Sequence, residues 1–126
     1  MRRDLQEQVT EWQDQNGAHD GDLSDHACKV LEEAIELCFA AGASASDVQK
    51  IMRTEIIKAA FKQEITEQFS SDDVAEELAD VLICLLALAH HANVDIDHAV
   101  EHKLTVLRER EWAVSPSGVL RRRDRI

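Results

Sequence analysis

A chain of 126 residues suffices for one domain with a real core and is too short for two of ordinary size. Acidic residues number 25 against 14 basic, a formal charge of −11, which argues against a protein whose main work is holding nucleic acid or an anionic membrane. Hydrophobic residues make up 44%, too many for a disordered chain, and one Pro, four Gly and no Tyr leave little for strands and turns, so helix is expected.

In chain order, the first helix is predicted from Asp4 to Asn16, with Leu5, Val9, Trp12 and Gln13 along one stripe and Asn16-Gly17 as its stop. A polar loop leads to Ser24 or Asp22, either of which caps a second helix ending near Ala41, with Gly42 just beyond it. Cys28, Leu31, Ile35 and Cys38 form its apolar stripe. Ser46-Asp47 opens a third helix to about Gln68, with Val48, Ile51, Met52, Ile56 and Ala59 on one face. Ser71, followed by Asp72 and Asp73, caps a fourth helix to His91. Asn93 breaks it, and a fifth helix runs from Asp95 to about Trp112 with Ile96, Val100, Leu104 and Leu107 on one side. The fold class is all-α, a compact bundle of four or five helices. One helical domain is expected over residues 1–115, and residues 116–126 read as an arginine-rich tail without regular structure.

Three cysteines (Cys28, Cys38 and Cys84) have no CxxC spacing and sit in apolar stretches, so they are expected to be small buried thiols. Their odd number suits a reducing compartment. The N-terminal residues lead into a polar segment with no apolar stretch typical of a secretory signal. The most apolar run, Leu78 to Ala89, spans 12 residues and includes Asp80, short of the roughly 20 that cross a bilayer. A cytoplasmic protein without membrane partners is expected.

The chemistry lies in two acidic clusters. At about 100° per residue, Glu32, Glu33 and Glu36 share one arc of the second helix beside its apolar stripe. Asp73, Glu76, Glu77 and Asp80 share an arc of the fourth, a helix otherwise made of Leu, Val, Ile, Cys and Ala. Asp80 stands roughly two turns inside that helix, too far for the helix dipole to stabilise it. Apolar neighbours all round predict a buried helix, in which a lone carboxylate needs a cation, a hydrogen bond or a proton. Like charges one turn apart repel, and two such clusters facing each other would need a counterion. Carboxylates are hard ligands, so Mg²⁺ or Mn²⁺ is the natural ion for a cluster without His or Cys. The bland alternative is a solvated acidic face, and for Glu32 and Glu76 it weighs as much as a ligand role. The six histidines make no metal pattern: His90 and His91 are adjacent and should point apart, and no Glu has a His three residues later, as a di-iron bundle requires.

Glu32-Glu33-x-x-Glu36 followed by Glu77-x-x-Asp80 resembles the signature of the MazG-like all-α nucleoside triphosphate pyrophosphatases, relatives of the dimeric dUTPases, the dCTP pyrophosphatases and phosphoribosyl-ATP pyrophosphohydrolase. The stretch from Lys29 to Glu36 is similar to the phosphoribosyl-ATP branch, and Glu77 to Leu82 to the group at large. The resemblance covers residues 5 to 112, with one departure: 40 residues separate Glu36 from Glu77, more than the usual gap. It implies cleavage between the α- and β-phosphates of a nucleoside triphosphate, giving the monophosphate and pyrophosphate. It also implies that Glu33, Glu36, Glu77 and Asp80, with Glu32 for a further ion, hold two or more Mg²⁺ or Mn²⁺ ions that bridge the phosphates. Glu36 is then the base that orients the attacking water, and a −11 chain is reconciled with a polyanionic substrate.

Protein cations for the phosphates would be Lys103, Arg108 and Arg110. Lys103 matches a lysine of the family, whereas many relatives have Asn four residues on, where this chain has Leu107. Lys29 stands one turn before Glu33 and either binds phosphate or pairs with that acid. Trp12 is the candidate for stacking on a nucleobase, with core packing as the alternative, and Asn16 for reading a base edge, with helix capping as the alternative. Trp112 reads as packing. Relatives form dimers or tetramers, and a fourth helix so apolar suits a homodimer or homotetramer interface. The Lys29-to-Glu36 motif is similar to the phage branch, MazZ, which points to a purine substrate, dGTP or GTP. Two alternatives stand beside this reading: phosphoribosyl-ATP hydrolysis, and a non-catalytic acidic helical interaction module.

Overall fold

The computed structural model describes residues 4–62 and 70–123. Among them are five helices, α1 (Leu5–Gln15), α2 (Leu23–Ala40), α3 (Ala45–Phe61), α4 (Ser71–His91) and α5 (Ile96–Arg108), and two short strands, β1 (Trp112–Val114) and β2 (Leu120–Arg122). The class is all-α, as expected. The expected end of the third helix near Gln68 lies outside the described residues.

Short polar side chains set the starts. Asp4 accepts from Glu7 N at 2.9 Å, Ser44 from Asp47 N at 3.0 Å and Asp95 from His98 N at 3.1 Å, each satisfying a free amide of a first helical turn. α3 therefore begins at Ala45, one turn-forming serine earlier than Ser46-Asp47 suggested. Left-handed residues set the ends. At the close of α2, Gly42 N donates to Phe39 O and Ala43 N to Cys38 O, with Gly42 at φ 95°. Asn93, at φ 59°, ends α4 with the same pair of bonds, to His90 O and Ala89 O.

The chain divides into two units. The first comprises the described residues of 1–25 and 71–126 and has its core at Trp12 (7% exposed), Leu104 (3%) and Leu120 (4%), with Ala18, Val100, Leu107 and Trp112 packed against them. α1 packs on α5 here, and the Trp12 and Trp112 rings meet edge to face, centroids 5.1 Å apart at 83°. Trp112 Nε1 donates to Leu107 O at 3.0 Å, whereas Trp12 Nε1 is buried with no partner among the described residues. The second unit, His26–Ser70, holds most of α2 and all described residues of α3, and neither helix has a buried residue.

Five expectations are corrected. α5 stops at Arg108 rather than Trp112, because Trp112 turns back to bond Leu107 O and opens a strand. The stretch read as an irregular tail instead contributes β2, antiparallel to β1 with Trp112 opposite Arg122 and Val114 opposite Leu120, and its Val119 and Leu120 are 4% exposed. α4 is apolar all round yet only Ala89 is buried, and Leu78, Val81, Leu82 and Ile83 are each 46–63% exposed. For the same reason Cys28, Cys38 and Cys84 are exposed: the stripes that carry them are uncovered in the single chain. His90 and His91, expected to point apart, meet edge-on with ring centroids 5.3 Å apart in the last turn of α4. No single helix among the described residues is long and apolar enough to cross a membrane.

Candidate active site

On α2, Glu32, Glu33 and Glu36 are all exposed, and helical spacing puts Glu33 and Glu36 one turn apart on one face. Lys29 reaches the first two: its Nζ lies 3.5 Å from Glu32 Oε2 and 3.4 Å from Glu33 Oε1. This one cation relieves the repulsion among the neighbouring acids, as the pairing alternative for Lys29 expects. Lys29 does not reach Glu36 in the same way.

On α4, Glu76, Glu77 and Asp80 are exposed as well. Asp80 is thus not the buried carboxylate that the surrounding apolar residues suggested. Glu77 and Asp80 repeat the one-turn spacing of Glu33 and Glu36. Each helix therefore offers a pair of carboxylates on one face.

The chemistry of this donor set fits a hard divalent cation that keeps water in its shell. Among the described residues, no three or more His, Cys, Asp or Glu side chains are grouped so as to hold a metal ion by themselves.

The cationic candidates are on and just after α5. Lys103 and Arg108 are exposed and Arg110 is half-buried, its N–H bonded to Leu107 O at 3.1 Å as the helix closes. Leu107 packs against the Trp12 core. Trp12 lies inside that core, so its ring covers Leu104, Leu120 and Trp112 and is not an open surface for a base. Asn16 is half-buried and its amide donates to Trp12 O at 2.9 Å, the capping role that was the alternative to base reading. The hairpin 112–122 escaped the sequence reading, although Trp-Ala-Val and Val-Leu-Arg on either side of Ser115-Pro116-Ser117-Gly118 carry a hairpin signal.

The helices present paired acids one turn apart, and the phosphoribosyl-ATP pyrophosphohydrolase family model matches residues 1–104, which include both pairs. The chain belongs to the phosphoribosyl-ATP pyrophosphohydrolase family. A dATP/dGTP diphosphohydrolase of Cyanophage S-2L is 41% identical over 61 residues, which is 47% of this chain and 58% of the relative's length. No solved structure matches the chain significantly.

Proposed function

We propose that this chain is a divalent-metal-dependent nucleoside triphosphate pyrophosphohydrolase that releases a nucleoside monophosphate and diphosphate. The observation that carries the reading is the reach of the family match. It spans both acid pairs, Glu33 with Glu36 and Glu77 with Asp80, and both pairs stand exposed on their helices. A triphosphate brings several negative charges to a protein of net charge −11, so carboxylates alone would repel it. Glu33, Glu36, Glu77 and Asp80 would hold Mg²⁺ or Mn²⁺, two or more ions, with Glu32 as a further ligand once Lys29 yields it. Bound there, the ions supply charge neutralisation at the phosphate oxygens and acidify water. The chain's own part is to place that charge and to add Lys103, Arg108 and Arg110 as phosphate contacts. Glu36, which Lys29 does not neutralise, accepts the proton of the attacking water.

The name of the cyanophage relative supports a purine deoxynucleotide, and dGTP is the favoured substrate, with GTP next. The uncovered apolar residues of α4 support a homodimer or homotetramer as the working form. The test is product analysis with Mg²⁺ over the common nucleoside triphosphates and phosphoribosyl-ATP. Conversion of dGTP to dGMP and diphosphate, faster than any pyrimidine nucleotide reacts, is expected. Orthophosphate as the first product, or no turnover of any nucleotide, would overturn the reading.

A further inference from the structure

We propose that the C-terminal hairpin is a positioning strap: it clasps the loop between α1 and α2 and fixes the start of α2, the helix that carries Glu32, Glu33 and Glu36. The family match ends at residue 104, before β1 begins at Trp112, so the strap is an addition to the matched region.

Its foot is anchored in the core. Leu120 is 4% exposed and belongs to the cluster of Trp12 and Leu104, and Val119 is equally covered. Its tip is a tight turn in which Gly118 N donates to Ser115 O at 2.9 Å, and Val119 N to Ser115 Oγ at 3.1 Å. From this turn two carbonyls reach the loop: Gly118 O accepts from His19 N at 3.1 Å and Ser117 O from Asp22 N at 3.0 Å. Asp22 passes the restraint on. While its N–H is held by the hairpin, its carboxylate accepts from Ser24 N at 3.0 Å and Ser24 Oγ at 2.6 Å, capping α2. One residue thus ties the strap to the helix.

The fit leaves no room for a side chain at the turn. Gly118 has φ 95°, and a Cβ there would run into the His19 carbonyl oxygen and lie 2.7 Å from its Nδ1. A Cβ on Gly21 would lie 2.7 and 2.8 Å from ring atoms of the same His19 and 3.0 Å from Ser117 O, and the His19 Nδ1 accepts from Gly21 N at 3.1 Å.

The effect on catalysis rests on the pyrophosphohydrolase reading; the clasp itself does not. The experiment uses the full chain with Gly118→Ala and, as a matched control, Gly42→Ala. Gly42 has the same φ of 95° but nothing within 4 Å of an added Cβ, so it carries the backbone cost without the collision. In Gly118→Ala, the His19 and Asp22 amides should lose hydrogen-exchange protection by about tenfold or more while α5 amides keep theirs. kcat/KM for dGTP, measured well below the melting temperature, should fall on the order of tenfold. Gly42→Ala should leave both readouts at the wild-type level. Gly21→Ala, whose closest collision is with the movable His19 ring and which crowds Ser117 O at 3.0 Å, gives a smaller loss in both and serves if Gly118→Ala does not fold. Retained protection in both Gly118→Ala and Gly21→Ala, an equal loss in Gly42→Ala, or lost protection with unchanged kcat/KM would overturn the strap. A wild-type protein that hydrolyses no nucleotide would instead overturn the pyrophosphohydrolase reading, leaving the clasp to be decided by exchange alone.

Discussion

Lys29 illustrates how single side chains prepare the acidic face. Its ammonium sits between Glu32 and Glu33 at 3.5 and 3.4 Å, with all three groups partly in water. Pairs of this exposure contribute roughly 0.3–0.5 kcal/mol each and are screened by salt. Lys29→Ala should therefore lower the unfolding free energy by less than about 1 kcal/mol in chelator at low salt, a loss that disappears in roughly 1 M NaCl. Because the ammonium and a divalent ion compete for the same oxygens, the variant should also bind Mn²⁺ more tightly. A raised KM for dGTP with unchanged Mn²⁺ affinity would make Lys29 a phosphate ligand instead. For Glu36 and Asp80 the expectation is sharper: Glu36→Gln and Asp80→Asn should each abolish diphosphate release with the circular dichroism of the helices intact. Activity surviving in both would defeat the site assignment.

At the scale of elements, the first unit depends on a small core. Trp12→Ala removes the centre of the cluster with Leu104 and Leu120 and should cost about 3–5 kcal/mol, read as a fall in the chemical-denaturation midpoint. Trp12→Phe or Trp112→Phe should each remove the exciton signal expected from two indoles 5.1 Å apart, and its persistence in either would disprove the edge-to-face pair. These elements were unevenly legible in the sequence. α1, α2, α4 and α5 follow from apolar spacing and from caps such as Asp4 and Asp95, whose contacts are local and so are written in adjacent residues. The hairpin's signal is the turn Ser115-Pro116-Ser117-Gly118 with short apolar flanks, easily missed because three-residue strands have too few residues to show alternation. Trp12 and Asn16 were ambiguous for another reason. Whether an indole stacks on a base or packs on Leu120 depends on a partner 108 residues away, which no local pattern encodes.

For the whole molecule, the informative quantity is uncovered apolar surface. Ile51, Ile56, Phe61, Leu78, Leu82 and Ile83 are 54–85% exposed, on helices whose sequence demands cover. Under the proposed homo-oligomer, a second copy covers apolar surface of this kind on each helix. The melting temperature should accordingly rise with protein concentration, and Ile83→Glu should shift the sedimenting species to the monomer. A concentration-independent melt with a monomeric wild type would refute the assembly. The acid pairs were legible from the sequence as pairs, because one-turn spacing is a property of a single helix. The proposed sharing of ions between them was reached in the sequence only through the family resemblance, since it depends on tertiary placement that no single helix encodes.

That joint use is tested most directly by calorimetric titration of Mn²⁺ into wild type, Glu36→Gln, Asp80→Asn and the double variant. Carboxylates on α2 and α4 that share ions should give a double variant hardly weaker than either single one, because each substitution already removes the common binding event. Losses that add independently, or Mn²⁺ binding that neither substitution weakens, would contradict the proposal that the two acid pairs act as one metal centre.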